Sequence, residues 1–152
     1  MIGRLTSVRN HKTKTHIFSF YLGHEYGIPF AFGRALGFND SDLLRSRTYY
    51  NVYRVETQPA IDVARRIASK LKFVGQPGIA FYGDENYPVK TVGLGTGCIC
   101  DPLQFMDLNM DLAIAIDDTV HTWTQTTFAE DTGRPLVVVN LRNTSFQAGL
   151  FL

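Results

Sequence analysis

The sequence predicts an α/β domain in which helices flank a layered, mostly parallel or mixed β-sheet, and three observations lead to that class. From Tyr49 onward, runs rich in β-branched and aromatic residues alternate with segments whose apolar residues recur at helical spacing. Two later apolar runs, Asp111 to Ile116 and Pro135 to Val139, are continuous, as in strands buried on both faces. The length of 152 residues and a hydrophobic content of 45% suit one domain with its own core.

The N-terminal segment, residues 1–47, has an irregular pattern and is assigned to the same fold as the α/β domain at 48–152. Within it, Ile28 to Leu36 is predicted to be a short helix. Pro29 is tolerated in a first helical turn, and Gly37 suits the position just past a helix end. The first strand is expected over Tyr50 to Val55, because aromatic and β-branched residues suit a pleated surface.

A helix is predicted after Pro59, opened by Thr57 or Gln58. Its apolar face would comprise Ile61, Ala64, Ile67, Ala68 and Leu71. Glycine-containing turns at 75–78 and 83–86 bracket a short strand and precede another. The remaining predicted elements are the strands Ile79 to Tyr82 and Val89 to Leu94, a short helix from Pro102 to Leu108, the buried strand Asp111 to Ile116, a helix from Asp118 to Thr132 closed by Gly133, and the strand Pro135 to Val139.

The composition bears on nucleic-acid binding, membrane association and cellular location. Fifteen Lys+Arg against 14 Asp+Glu give a net charge of +1, so a nucleic-acid-binding surface is not expected. The longest apolar run, Leu112 to Ile116, is far shorter than the roughly 20 residues that cross a bilayer, so no membrane association is expected. The only two cysteines, Cys98 and Cys100, are one residue apart, and no signal-peptide pattern is present, which favours a cytoplasmic location.

Ligands of open α/β sheets bind at the carboxyl ends of the strands, which directs attention to the loops after Leu94, Ile116 and Val139. In the first of these loops, Gly95, Thr96 and Gly97 are candidates for binding an anion through backbone N–H groups. The alternative is a tight strand-to-helix turn. The next residues, Cys98 to Asp101, offer two thiols and a carboxylate, but the narrow spacing favours packed thiols over a zinc site.

The loop after Ile116 contains Asp117, Asp118 and His121. These residues are candidate metal ligands, and Asp118 and His121 are the candidate catalytic pair. The alternative is an Asp that caps the following helix and a His on its surface. On that helix, Trp123 and Phe128 are candidate core or subunit-interface anchors, because no basic residues interleave with them as in a base-stacking surface.

Taken in order, several motifs resemble the C-terminal part of the NIF-three-like family. They are Val92 to Gly97, Cys98 to Asp101, the Asp111 strand, Asp117-Asp118, His121-Thr122-Trp123, Ala129 to Gly133 and Val137-Val138-Val139-Asn140. The resemblance covers Tyr49 to Asn140 and is thinner between Glu25 and Gly37. It implies a protein with a dinuclear metal centre, holding zinc, iron or manganese, that assembles as a toroidal homo-hexamer.

The sequence departs from the ligand set that the resemblance implies. That set has an early His-His pair, an Asp shortly after a His, and a late His followed by a Glu. This chain has no adjacent His pair, Ile17 follows His16, and Leu141 stands where the late His is expected, with no Glu in the stretch after it. Aliphatic side chains cannot coordinate a cation, so the resemblance implies a depleted metal site.

Two functions are compatible with these observations. The first is an oligomeric binding or scaffolding protein that keeps the family's fold with few of its ligands. The second is a metal-dependent hydrolase of a nucleotide-like or phosphorylated small molecule, with Asp117, Asp118 and His121 as ligands or base. Nucleic-acid binding is a third and weaker hypothesis, because a toroid offers a channel but the net charge does not support it.

Overall fold

A computed structural model describes residues 27–47, 49–73, 75–96, 108–117 and 123–140, with Trp123 described by its backbone alone. The short helix predicted at Pro102 to Leu108 lies outside these residues except for Leu108, as do the first five residues of the helix predicted from Asp118. The elements, in chain order, are α1 (Ile28–Ala35), a 3-10 turn (Asp40–Asp42), β1 (Leu43–Arg47), β2 (Tyr50–Pro59), α2 (Ala60–Lys72), β3 (Ala80–Tyr82), β4 (Pro88–Gly95), β5 (Leu112–Ile116), α3 (Trp123–Thr132) and β6 (Leu136–Val139).

The described strands form one mixed sheet of six strands in the order β1-β2-β4-β5-β6-β3. The strands β4, β5 and β6 are parallel neighbours at its centre. The outer strands β1, β2 and β3 all form antiparallel pairs. The structure therefore confirms the predicted class of a layered α/β domain with a mixed sheet. None of the described helices is long and apolar enough to cross a membrane.

The central strand β5 is buried at every position, as its continuous apolar run predicted. Because side chains alternate along a strand, Leu112, Ile114 and Ile116 join the larger core cluster with α1 and α2. Ala113 and Ala115 face the opposite layer, where they pack in a second cluster with Ala129 of α3. The sheet is thus covered on both faces by helices.

Both glycines predicted to follow helices adopt the left-handed conformation that stops a helix at low cost. Gly37 after α1 has φ 86°, and Gly133 after α3 has φ 68°. The prediction for the start of α2 needs correction. The strand β2 continues to Pro59, and no side chain caps the helix. Its first N–H groups donate instead to carbonyls of the β3–β4 connection, from Ala60 to Tyr87 (3.0 Å) and from Ile61 to Glu85 (3.0 Å).

The face of α2 that is buried differs from the predicted face by part of a helical turn. Ile61 and Ala68 are half-buried instead of fully buried. The residues that α2 buries are Ala60, Val63, Ala64, Ile67 and Leu71.

The edge strand β1 has no counterpart in the sequence prediction. Four of its five residues are exposed, so Leu43–Arg47 shows neither the alternation nor the continuous apolar run that indicates a strand. It is held by antiparallel pairing with β2, in which Leu43 lies opposite Tyr53 and Arg47 opposite Tyr50.

Tyr53 is the largest fully buried side chain and joins β2 to α1. Its ring stacks on Phe38, with centroids 5.0 Å apart and 13° between the planes. Its hydroxyl accepts a hydrogen bond from Asn51 Nδ2 (3.1 Å), and Ser46 Oγ donates to Asn51 Oδ1 (2.8 Å). The α1 backbone passes directly over this hydroxyl at Gly33, where a Cβ would lie 2.3 Å from it. Only glycine therefore fits at this crossing.

We predict that Gly33→Ala destabilises the protein, because either Tyr53 or α1 must move to relieve the overlap. The expected loss is about 1–3 kcal/mol in the free energy of unfolding, measured by urea denaturation. Gly78→Ala is the control, since nothing lies within 4 Å of a Cβ there. Its effect is expected to stay below about 0.5 kcal/mol. Equal losses in the two variants would contradict this account of the crossing.

The buried phenol also predicts a pH dependence of stability. Burial raises the pKa of Tyr53 above its ordinary value of 10.0, and the Asn51 hydrogen bond only partly opposes that shift. Above pH 10.0 the unfolded chain therefore releases this proton while the folded chain retains it. Stability should be intact below this pH and fall as the pH rises through the folded pKa. Urea denaturation at alkaline pH should show a smaller fall for Tyr53→Phe, and an equal fall in both proteins would refute the assignment.

Candidate functional site

The carboxyl ends of β4, β5 and β6 lie at one edge of the sheet, because the three strands are parallel neighbours. Ile116, the last residue of β5, lies opposite Val139, the last residue of β6. This arrangement places Thr96, Asp117 and Asn140, the residues that directly follow the three strands, along the same edge. These are the three loops in which the sequence predicts ligand binding.

Asp117 and Asn140 bridge the ends of β5 and β6. The backbone N–H of Asp117 donates to the carbonyl of Val139 over 2.8 Å, which extends the parallel ladder by one bond. The side-chain amide of Asn140 donates to Asp117 Oδ2 over 2.9 Å. Both residues are exposed, so this bridge forms a polar surface at the end of the buried strands.

Gln76 supports the bridge from the loop between α2 and β3. It is buried, and its Oε1 accepts a hydrogen bond from the backbone N–H of Asn140 (3.3 Å). Its Nε2 donates to the carbonyl of Gly78 (2.6 Å), and its own backbone N–H donates to the carbonyl of Leu71 at the end of α2 (3.1 Å). The sequence predicts only a turn at 75–78, since nothing local distinguishes a buried glutamine in a Gly-Gln-Pro-Gly segment from a solvated one.

Thr96 begins the glycine-containing loop, and its polar groups face the protein. It is 2% exposed, and its backbone N–H donates to the carbonyl of Tyr49 over 3.0 Å. Its hydroxyl donates to the same carbonyl over 3.4 Å. Gly95 is the last residue of β4 and pairs with Tyr50. Gly97 lies outside the described residues, so anion binding by this loop stays a prediction.

The candidate metal ligands are only partly covered by the structure. Asp117 is described, whereas Asp118 and His121, and also Cys98 and Cys100, lie outside the described residues. Among the residues that the structure describes, no three His, Cys, Asp or Glu side chains come together. Asp117 brings a carboxylate to the edge between β5 and β6, and its Oδ2 accepts a hydrogen bond from the Asn140 amide. A two-metal centre needs several anionic or imidazole ligands, so the predicted metal site depends on Asp118 and His121 as well as on Asp117.

The two predicted interface residues lie on α3. Phe128 is half-buried, and Trp123 is the first residue of the helix, with a side chain that is not described. A different aromatic residue is far more exposed: Phe73, at the end of α2, has 92% of its surface accessible. No sequence pattern distinguishes Phe73, because it lies at the end of the apolar pattern of α2 and beside Lys72.

Comparison with solved structures relates this fold to several proteins of low sequence identity. A Staphylococcus aureus hypothetical protein, SA1388, superimposes with a TM-score of 0.61 at 14% identity, over 80% of this chain and 53% of that protein. The protein ybgI, of unknown function, gives 0.59 at 16% identity, over 81% and 48%. A Bacillus cereus protein related to NIF3 gives 0.50 at 13% identity, over 71% and 31%. The chain shares the fold of a NIF3-related protein.

The matched region covers about half of ybgI and about a third of the Bacillus cereus protein. It covers 28% and 53% of the chain in two structures of SA1388. No protein-family model matches the sequence. No curated protein matches it either. The relationship therefore rests on the three-dimensional arrangement of the strands and helices.

We predict that Gln76→Ala lowers stability by about 1–2 kcal/mol, because it removes a buried group that accepts and donates hydrogen bonds. Gln58→Ala is the matched control, since Gln58 donates to the carbonyl of Glu56 two residues away on an exposed part of β2. Its effect should stay below about 0.5 kcal/mol. Urea denaturation measures both, and NMR should show shifts at Asp117 and Asn140 in Gln76→Ala only. Unchanged signals at those residues would exclude the proposed support.

Proposed function

We propose that this chain is a NIF-three-like protein that functions as an oligomeric binding or scaffolding protein with a depleted metal site. Two independent lines support membership of that family. The order of motifs from Val92 to Asn140 resembles its C-terminal part. The fold is shared with ybgI and with a protein related to NIF3. Fold alone does not fix an activity, so the argument for binding depends on the site.

The observation that carries the proposal is the bridge between Asp117 and Asn140. A carboxylate that serves a hydrolytic two-metal centre shares its oxygens with cations held about 3.5–4 Å apart. In this chain Asp117 Oδ2 accepts a hydrogen bond from a neighbouring amide, and Leu141 follows in place of the His that the family resemblance implies. The exposed amide and carboxylate can hydrogen-bond a ligand, and the absence of the expected His at 141 supports a depleted metal site.

The same edge favours a small polar ligand. Exposed amide and carboxylate groups of Asn140 and Asp117 lie at the carboxyl ends of parallel strands, the usual ligand position in open α/β sheets. A phosphorylated small molecule is the proposed ligand class, with the Gly97 N–H as the proposed anion donor. Cysteine usage favours a cytoplasmic location for this role.

The decisive experiment combines elemental analysis with light scattering on one sample of the purified full chain. We expect fewer than one transition-metal ion per chain. We also expect a particle mass that corresponds to two or more chains of 17.1 kDa each. Two bound transition metals per chain would overturn the proposal. That result would favour the alternative, a metal-dependent hydrolase that uses Asp117, Asp118 and His121.

Variants separate the two functions further. If α3 supplies the interface, Trp123→Ala should reduce the particle mass, since aromatic anchors dominate interface energy. Thr124→Ala is the control, because Thr124 is the exposed neighbour of Trp123 on α3. Phe128→Ala gives a second test if the tryptophan variant fails to fold. Asp118→Asn and His121→Ala should leave assembly intact, and a monomeric parent protein would contradict the scaffolding role.

A further inference from the structure

A groove of about 310 Å³ lies between the loop after α1, the second half of β2 and one face of α2. It shares no residue with the carboxyl edge described above. Arg54, which lines it, lies opposite Thr91 on β4, and Thr91 accepts a backbone hydrogen bond from Asp111 just before β5 begins. The groove is therefore near the amino ends of the parallel strands, away from the candidate site.

The groove exists because β1 is too short to cover β2. The pairing of these strands ends where Leu43 meets Tyr53, and the next three residues of β2, Arg54, Val55 and Glu56, all line the groove. The pairing of β2 with β4 is also irregular between Arg54 and Gln58, so these lining residues lie where β2 departs from a regular strand. The groove therefore follows from the point at which β1 ends and from this irregularity in β2.

Two positive and two negative side chains line this groove without pairing to one another. They are Arg54, Arg66, Asp42 and Glu56. Within the described part of the chain, the side chains of Arg54 and Glu56 make no hydrogen bond or ion pair. Two ion pairs form nearby, Arg34 with Asp40 and Arg65 with Asp62. Neither pair includes a residue that lines the groove.

Phe38 lines the groove but is itself almost fully buried. Phe38 is 5% exposed, its ring stacks on Tyr53, and the Arg66 guanidinium lies 5.9 Å from the ring centroid. These contacts leave no aromatic face for a flat heterocycle to stack on. They also hold the Arg66 guanidinium at the groove, which reduces the entropy lost when it binds a ligand.

We propose that this groove binds a small zwitterion, a molecule that carries both a carboxylate and an ammonium group, as free amino acids and short peptides do. The guanidinium groups of Arg54 and Arg66 match a carboxylate, and the carboxylates of Glu56 and Asp42 match an ammonium. A simple anion would be repelled by the two carboxylates, and a simple cation would be repelled by the two guanidinium groups. The volume is at the lower end of the roughly 300–1,000 Å³ of ligand pockets, which suits a small molecule.

The test is NMR titration of the full chain with three matched probes. They are glycylglycine, its N-acetyl derivative, which lacks the ammonium, and its C-terminal amide, which lacks the carboxylate. We expect glycylglycine to shift the amide signals of Arg54, Glu56 and Gly37. Each blocked probe should bind about tenfold more weakly, the loss expected for one charge-assisted contact.

Variants locate the binding. Arg54→Gln and Glu56→Gln should each weaken glycylglycine binding about tenfold, because each removes one of the two charge types. Arg65→Gln is the control, since Arg65 neighbours Arg66 on α2 but pairs with Asp62 outside the groove. Equal binding of the N-acetyl probe would overturn the proposal in favour of a simple anion site. No shift at the groove with any probe, or equal weakening by Arg65→Gln, would also overturn it.

Discussion

The burial of β5 on both faces is the constraint on which the rest of the structure depends. Its five residues have no exposed position, so each face must be covered and each edge must be paired. The parallel strands β4 and β6 pair with the backbone groups along the two edges of β5, and helices cover its two faces. Leucine and isoleucine on one face and alanine on the other make the two layers unequal, which places the larger core under α1 and α2.

Two aspartates at the ends of β5 serve this strand differently. Asp111 precedes it, and its Oδ2 accepts hydrogen bonds from the backbone N–H groups of Lys90 and Thr91 and from the Thr91 hydroxyl, over 2.8 to 3.0 Å. These contacts fix the register of β5 against β4. Asp117 follows the strand, and its Oδ2 accepts a hydrogen bond from the exposed amide of Asn140. The first carboxylate is thus structural, whereas the second lies on a polar surface open to solvent.

The parallel arrangement explains why polar groups collect at two separate places. At the carboxyl edge, chain segments distant in sequence converge because β4, β5 and β6 all end there, and Gln76 joins them from a fourth segment. Near the amino ends, the charged groove arises for a different reason, since β1 stops pairing at Leu43 and leaves the outer side of β2 open. The described residues that form the two places are different.

The sequence by itself determined the fold class and most of the elements, because their signals are local. These signals are properties of neighbouring residues. They are the helical spacing of apolar residues after Pro59, the continuous apolar run of β5, and the glycines that end α1 and α3. The family resemblance added a candidate fold that the shared architecture supports, whereas the candidate roles of Asp118 and His121 stay predictions. Residue spacing can identify loops at strand ends. It does not show which of their hydrogen-bond donors, such as those of Thr96, bond to other parts of the protein.

Only the tertiary structure decided the contacts between segments far apart in the chain. It showed that β1 pairs with β2 despite having no strand pattern, and that carbonyls at 85 and 87 cap α2 in place of the preceding side chains. It also showed that Gly33 is required by the hydroxyl of Tyr53, 20 positions away. Local sequence patterns record the preferences of a segment, but the partner of a hydrogen bond or the space beside a glycine is set by packing.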